Sequence, residues 1–161
     1  MMPRFHLQKK ERGIKDLKEL LSLIKKGKYT SIAMCRNNEP YVVTLSYGYD
    51  EVKNALYFHS RPKGLKYEII KENPQVCATI IEDKGYIMNE CAHAFCSVIL
   101  WGKMYFVETL EEKKHGMDIL LKHLEENPDK IKQESLSNEK LYRNLGIFRL
   151  DIMEMNGKWG R

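Results

Sequence analysis

The chain has 161 residues, 43% of them hydrophobic and 10% aromatic, with 27 Lys+Arg against 22 Asp+Glu for a net charge of +5. That apolar share excludes a disordered chain, and the length suits one compact domain that can lean on a partner subunit for part of its surface. The basic residues alternate with Glu in no arginine-rich block, which leaves nucleic-acid binding unsupported, and no apolar run reaches the roughly 20 residues that span a bilayer.

Residues 1–10 lack the apolar centre of a signal peptide. Gly13 to Lys26 sets Ile14, Leu17, Leu20, Leu21 and Ile24 on one face, which predicts a packing helix closed by Gly27 in a left-handed conformation. Tyr29 to Cys35 reads as a strand, and Arg36-Asn-Asn-Glu-Pro40 as a hairpin turn into a second strand, Tyr41 to Tyr49. In that strand Tyr41, Val43, Leu45 and Tyr47 face one way and Val42, Thr44 and Ser46 the other. A face of small hydroxyls beside a Val can accept a flat ring, or can simply be the wet face of an edge strand.

Ala55 to Ser60 is a third strand, followed by the turn Arg61-Pro-Lys-Gly64 and a helix from Leu65 that stops at Glu72-Asn-Pro74. The start of a helix leaves backbone N–H groups without partners, and here they sit among His59, Ser60, Arg61, Lys63 and Lys66. These residues describe a phosphate site, although a solvated basic turn fits them too.

Gln75 to Glu82 is another strand, Asp83 to Cys91 reads as loop, and Phe95 to Val107 is a long strand with a bulge or sharp bend at Gly102. Ser97 could bring a hydroxyl to the same phosphate if its strand neighbours the one ending at Ser60. Glu111 to Leu124 is an amphipathic helix, 128–143 is irregular or weakly helical, and Gly146 to Met155 is a last strand before a tail, 156–161. Three helices among separated strands argue for an antiparallel barrel flanked by helices rather than alternating βαβ units.

Neither Gly-x-Gly-x-x-Gly nor a P-loop occurs. Cys35, Cys77, Cys91 and Cys96 form no Cys-x-x-Cys pair, which suits a reduced, cytoplasmic protein. Cys91-Ala-His-Ala-Phe-Cys96 with Cys77 matches no common zinc spacing, so no metal is expected. His6 lies in the N-terminal tail, and His115 and His123 fall on a helix; His59 alone runs from a strand directly into the basic turn.

The ordered series Pro40 to Tyr47, Leu56-Tyr-Phe-His-Ser-Arg-Pro-Lys-Gly-Leu-Lys66, Glu72-Asn-Pro-Gln-Val-Cys-Ala-Thr79, Ser97-Val-Ile-Leu-Trp-Gly102 and Asn156-Gly-Lys158 resembles the pyridoxamine 5′-phosphate oxidase-like flavoproteins, and within them the nitroimidazole-resistance branch. The resemblance spans roughly residues 10 to 160. It implies a split β-barrel, mainly β with flanking helices, that binds FMN at a homodimer interface, as a single domain over 1–161. By the same resemblance Val43, Thr44, Leu45 and Ser46 lie along the flavin ring, and Phe58, His59 and Ser60 lie beside it. Lys66, and more weakly Arg61 and Lys63 with Gly64 in their turn, match the phosphate ligands. Ser97 and Val98 complete the pocket, and Lys158 with Trp159 reaches a flavin, in the same or the other subunit.

Flavin carries redox chemistry itself, so a protein built this way needs no catalytic triad. The expected activity is reduction of a small electron-poor substrate with NAD(P)H as donor, with His59 on the substrate side. The chain ends in Asn156-Gly-Lys-Trp-Gly-Arg161, with no match to the basic arginine- and histidine-bearing C-terminal segment that the oxidases use for pyridoxamine phosphate, which argues against that substrate. A flavin- or haem-binding storage or sensing protein and a deazaflavin-dependent reductase stand as alternatives on the same barrel.

Overall fold

The computed structural model describes residues 7–161, and His6 lies outside them. Eight strands form one antiparallel sheet: β1 (Gly13–Ile14), β2 (Tyr29–Arg36), β3 (Glu39–Ser46), β4 (Gly48–Asp50), β5 (Ala55–Ser60), β6 (Gln75–Ile87), β7 (Ala92–Phe106) and β8 (Gly146–Gly160). Five α-helices accompany them: α1 (Leu17–Lys26), α2 (Leu65–Glu72), α3 (Leu110–Leu124), α4 (Pro128–Ser135) and α5 (Glu139–Arg143). The strand order is β3-β2-β6-β7-β8-β5-β4, with β1 added to β8.

The expected barrel of antiparallel strands is present, with several boundaries corrected. Helix α1 starts at Leu17, because Asp16 caps it by accepting the Lys18 N–H at 2.9 Å. The two residues expected to begin it, Gly13 and Ile14, pair instead with Lys158 and Gly157. Gly27 is extended rather than left-handed (φ −63°). Its lack of a side chain serves a close approach, since a Cβ there would crowd the Tyr47 hydroxyl and come within 2.7 Å of Ile80 Cγ2.

Asn37 and Asn38 both take positive φ (51° and 64°), the geometry of a two-residue hairpin turn. The strand expected to run to Tyr49 breaks at Tyr47, which is fully buried and donates its hydroxyl hydrogen to the Ile24 carbonyl at 2.6 Å. The stretch read as loop, 83–91, is the far end of a β6–β7 hairpin whose register shifts between Asp83 and Tyr86. Strand β8 continues through the expected tail to Gly160, and a bulge opposite Trp101 and Gly102 confirms the bend foreseen there. A Cβ on Gly102 would collide with the Asp151 carbonyl oxygen.

Alternation sorts the sheet into two faces. Thr30, Ile32 and Met34 of β2, Val76, Ala78 and Ile80 of β6, and Val98 and Leu100 of β7 point into the main core with Leu56, Phe58, Phe148 and Leu150. Each Val, Leu, Ile, Met or Phe among them contributes about 1.5–3 kcal/mol when fully buried. A smaller core lies under α3, where Met117, Leu120 and Leu121 cover Tyr57 and Ile147. Helix α3 is also pinned by polar contacts: His115 Nε2 lies 2.6 Å from Asp50 Oδ2, and the Tyr57 hydroxyl donates to Glu112 at 3.1 Å. Among the described residues no helix is long and apolar enough to cross a membrane.

Candidate functional site

The sheet curls until its two ends share a cavity. Strands β3 and β5 do not pair, yet Thr44, Leu45 and Ser46 of β3 and His59 of β5 line one space of about 350 Å³. Its remaining wall is α3, through Met117, Leu120, Leu121, Leu124 and Glu125. Thr44 also shares a hydrogen bond with Ser31 at 2.9 Å, and Val43 and Leu45 are half-buried against the core. The apolar spacing along 117–124 was the available signal for this third wall, and it reads as plain core packing.

His59 is open to solvent on its outer side, while protein packed around the ring lowers its pKa by desolvation. At neutral pH the ring is therefore uncharged. Its neighbour Phe58 points the other way and is fully buried in the core, with no access to the cavity. This follows from strand alternation, which puts adjacent side chains on opposite faces.

One residue beyond His59 the chain reaches the basic corner. Lys66 Nζ donates to the Ser60 hydroxyl and sits 5.5 Å above the Phe148 ring. Burial pushes its ammonium below the ordinary lysine value. Gly64 stands at the cap position of α2 with φ +106°, a conformation that favours glycine, and no side chain caps this helix start. Arg61, Lys63 and Lys66 have no carboxylate partner among the described residues. An uncapped helix start beside three unpaired cations fits a phosphate, the anchor an FMN molecule carries.

Ser97 and Lys158 are elsewhere. Strand β8 lies between β7 and β5, so Ser97 does not neighbour Ser60 on the same chain. Ser97 pairs with Lys158, and both line a larger cavity of about 740 Å³ on the outer face of the sheet. Its floor is apolar, with Ala33, Val42, Cys77, Ile81 and Ile99, and its polar groups include Ser31, Thr79, Asp83 and His93. Val98 is fully buried on the opposite face, and Trp159 is 38% exposed with the Arg12 guanidinium 6.0 Å from its ring.

Next to this cavity is another of about 470 Å³ that includes Cys35, Pro40, Cys77 and Trp101. The Trp101 indole N–H is buried without a hydrogen-bond partner. Sequence reading considered His93 only within the rejected Cys91–Cys96 metal motif and missed its pairing with Asp83, because the hairpin that joins them carries no strand alternation. All four cysteines are free thiols, and no cluster of three or more metal-ligating side chains occurs among the described residues.

Comparison with known proteins agrees with this fold. A family model described as pyridoxamine 5′-phosphate oxidase matches residues 16–159. No curated protein sequence matches the chain. Among solved structures, a candidate 5-nitroimidazole antibiotic resistance protein from Bacteroides thetaiotaomicron is 27% identical, with a TM-score of 0.77 over 92% of this chain and 87% of that one. A flavocytochrome from Azotobacter vinelandii superposes with a TM-score of 0.81 at 16% identity, over 97% of this chain and 73% of that one. An FAD- and haem-binding protein from Mycobacterium smegmatis gives 0.72 at 13% identity, over 93% and 74%. The last two likenesses are of fold alone.

Proposed function

The chain belongs to the pyridoxamine 5′-phosphate oxidase family, and from that premise we propose that it is an FMN-dependent oxidoreductase that reduces a small electron-poor organic molecule, working as a homodimer. The observation that carries this reading is the cavity joining Thr44, Leu45, Ser46 and His59, next to Ser60, the following residue of β5, which is hydrogen-bonded to Lys66 in the first turn of α2. Lys66 and Ser60 hold the phosphate, with Arg61 and Lys63 adding charge at the rim. Thr44 and Ser46 offer hydroxyls and backbone edges to the ring, and α3 covers it with Met117, Leu121 and Leu124. A bound flavin supplies the hydride or electron transfer.

The homodimer explains why the other expected residues are out of reach. Ser97 lies on β7, and Lys158, its pairing partner, lies at the far end of β8 from Gly146, which pairs with Ser60, so they serve the flavin of a second copy rather than their own. The apolar floor of that face and the partnerless Trp101 N–H also favour burial against a partner. His59, uncharged at neutral pH, suits contact with a neutral aromatic substrate. The likeness to a candidate nitroimidazole-resistance protein points to nitro compounds as the first substrates to try.

The test is reconstitution of the purified protein with FMN, followed by reduction with NADH or NADPH and addition of a nitroimidazole. The reading expects one flavin per chain and substrate-dependent reoxidation in the absence of oxygen. A protein that binds flavin but is reduced by neither nucleotide would be a carrier or sensor instead.

A further inference from the structure

The larger cavity holds a pair of side chains that this reading has not used. His93 Nε2 lies 2.7 Å from Asp83 Oδ1, and the same carboxylate oxygen accepts the Gly85 N–H at 2.7 Å. The register shift between Asp83 and Tyr86 makes this contact possible, since it lets β6 turn a carboxylate toward an imidazole ten residues away. Tyr86 braces the imidazole from one side, with ring centroids 6.2 Å apart in an edge-to-face arrangement. Both partners line the cavity that also contains Ser97 and Lys158.

We propose that His93, oriented by Asp83, is the proton donor to the substrate, supplied by one copy to the ring held by the other. The inference rests on the flavin site proposed above. Reducing a nitro group to a nitroso group and water takes two electrons and two protons. A hydride from the reduced cofactor carries both electrons and one proton, and the cofactor is oxidised in the exchange. The second proton leaves a His93 ring nitrogen, an N–O bond of the substrate breaks, and the oxygen departs as water.

With Nε2 turned to Asp83, Nδ1 is the nitrogen free to meet a ligand. On the single chain 48% of the His93 side chain is exposed, which leaves the imidazole accessible to a ring brought by the second copy. His59 is the weaker candidate for this task, since desolvation keeps it unprotonated. Asp83 is a positioning residue: hydrogen bonds from His93 and Gly85 keep its carboxyl below the usual range, so it stays ionised beside the ring.

The experiment uses the full chain loaded with FMN. His93→Gln should bind FMN as the wild type does and be reduced by the nucleotide at the same rate, while nitroimidazole reduction slows about 100-fold in kcat, the usual worth of a general acid, with little change in KM. Asp83→Asn should slow the same step less. Two further readouts do not depend on one variant. In the oxidised protein, where no turnover occurs, adding nitroimidazole should shift the His93 imidazole NMR signals.

At an FMN concentration too low to load Lys66→Ala, mixing that variant with the slowed His93→Gln should also restore activity, because half of randomly mixed dimers then hold one intact site, about a quarter of wild type per subunit. Full nitroimidazole reduction by His93→Gln, unmoved imidazole signals at saturation or no recovery on mixing would each overturn the proposal while leaving the flavin site standing. A wild-type protein that takes up no flavin would overturn both.

Discussion

The two walls of the candidate site differ in how complete they are on one chain. At the β5–α2 corner Lys66 is already hydrogen-bonded to Ser60 and packed over Phe148, and the helix start stands uncapped beside cations that lack acids. That corner can anchor an anion by itself. The outer face of β6, β7 and β8 is a wide apolar floor, with an ion-paired histidine at its rim and an indole N–H that finds no partner nearby. It becomes a site only when something covers it. On the function proposed above, the contrast assigns cofactor affinity to one copy and the finishing of the pocket to its neighbour.

The largest effect should come from breaking the unfinished wall. Ile99→Arg places a charge in the middle of the apolar floor, where an unpaired buried charge is not tolerated. Sedimentation should show a monomer, and flavin affinity should fall more than about 100-fold although Lys66 is untouched. A variant that remains dimeric with normal flavin binding would mean that the outer face is no part of the site.

Lys66→Ala tests the finished wall. Loss of a hydrogen bond to a charged group costs about 1.5–3 kcal/mol, so FMN should bind about 10- to 100-fold more weakly in a fluorescence titration, with the dimer intact. Ser97→Ala, on the other wall, should weaken it less. Equal losses would erase the distinction between anchor and finishing wall.

Asp50→Asn bears on the helix that covers the ring cavity. Asp50 is 3% exposed; burial raises its pKa, but hydrogen bonds from His115 and from the Lys53 and Val52 N–H groups outweigh this and leave it below the usual range. Its contribution is therefore complete above the ordinary carboxylate pKa and is lost as pH falls through the lowered value. The substitution should cost about 1.5 kcal/mol at neutral pH in urea unfolding and flatten the acid side of the stability curve. An unchanged acid limb would show that the contact does not hold α3. The smallest effect belongs to Arg61→Ala and Lys63→Ala, exposed cations that should change FMN affinity only about twofold to fivefold and less still at high salt.

Much of this was legible in the chain. The β3 alternation correctly separated Thr44 and Ser46 from Val43 and Leu45, and the run from Leu56 to Lys66 identified the strand, the turn and the uncapped helix in order. Glycine and proline punctuation gave the stop of α2 and the bend at Gly102. What escaped were features fixed by distant partners. Gly13 and Ile14 continue a helical apolar pattern locally, and only the far end of β8 makes them a strand. The β6–β7 hairpin is too polar to announce itself, so the contact between Asp83 and His93 remained hidden. Which residues share a cavity depends on how the sheet closes, and for that reason Ser60 and Ser97 looked like neighbours.

The measurement that tests the account most directly is the absorption spectrum of whatever cofactor denaturation releases from the purified protein, with its amount per chain. The account predicts FMN, one molecule per chain, bound to a dimer and retained in smaller amount by Lys66→Ala. A haem band, a deazaflavin spectrum or a colourless protein that FMN cannot saturate would contradict it.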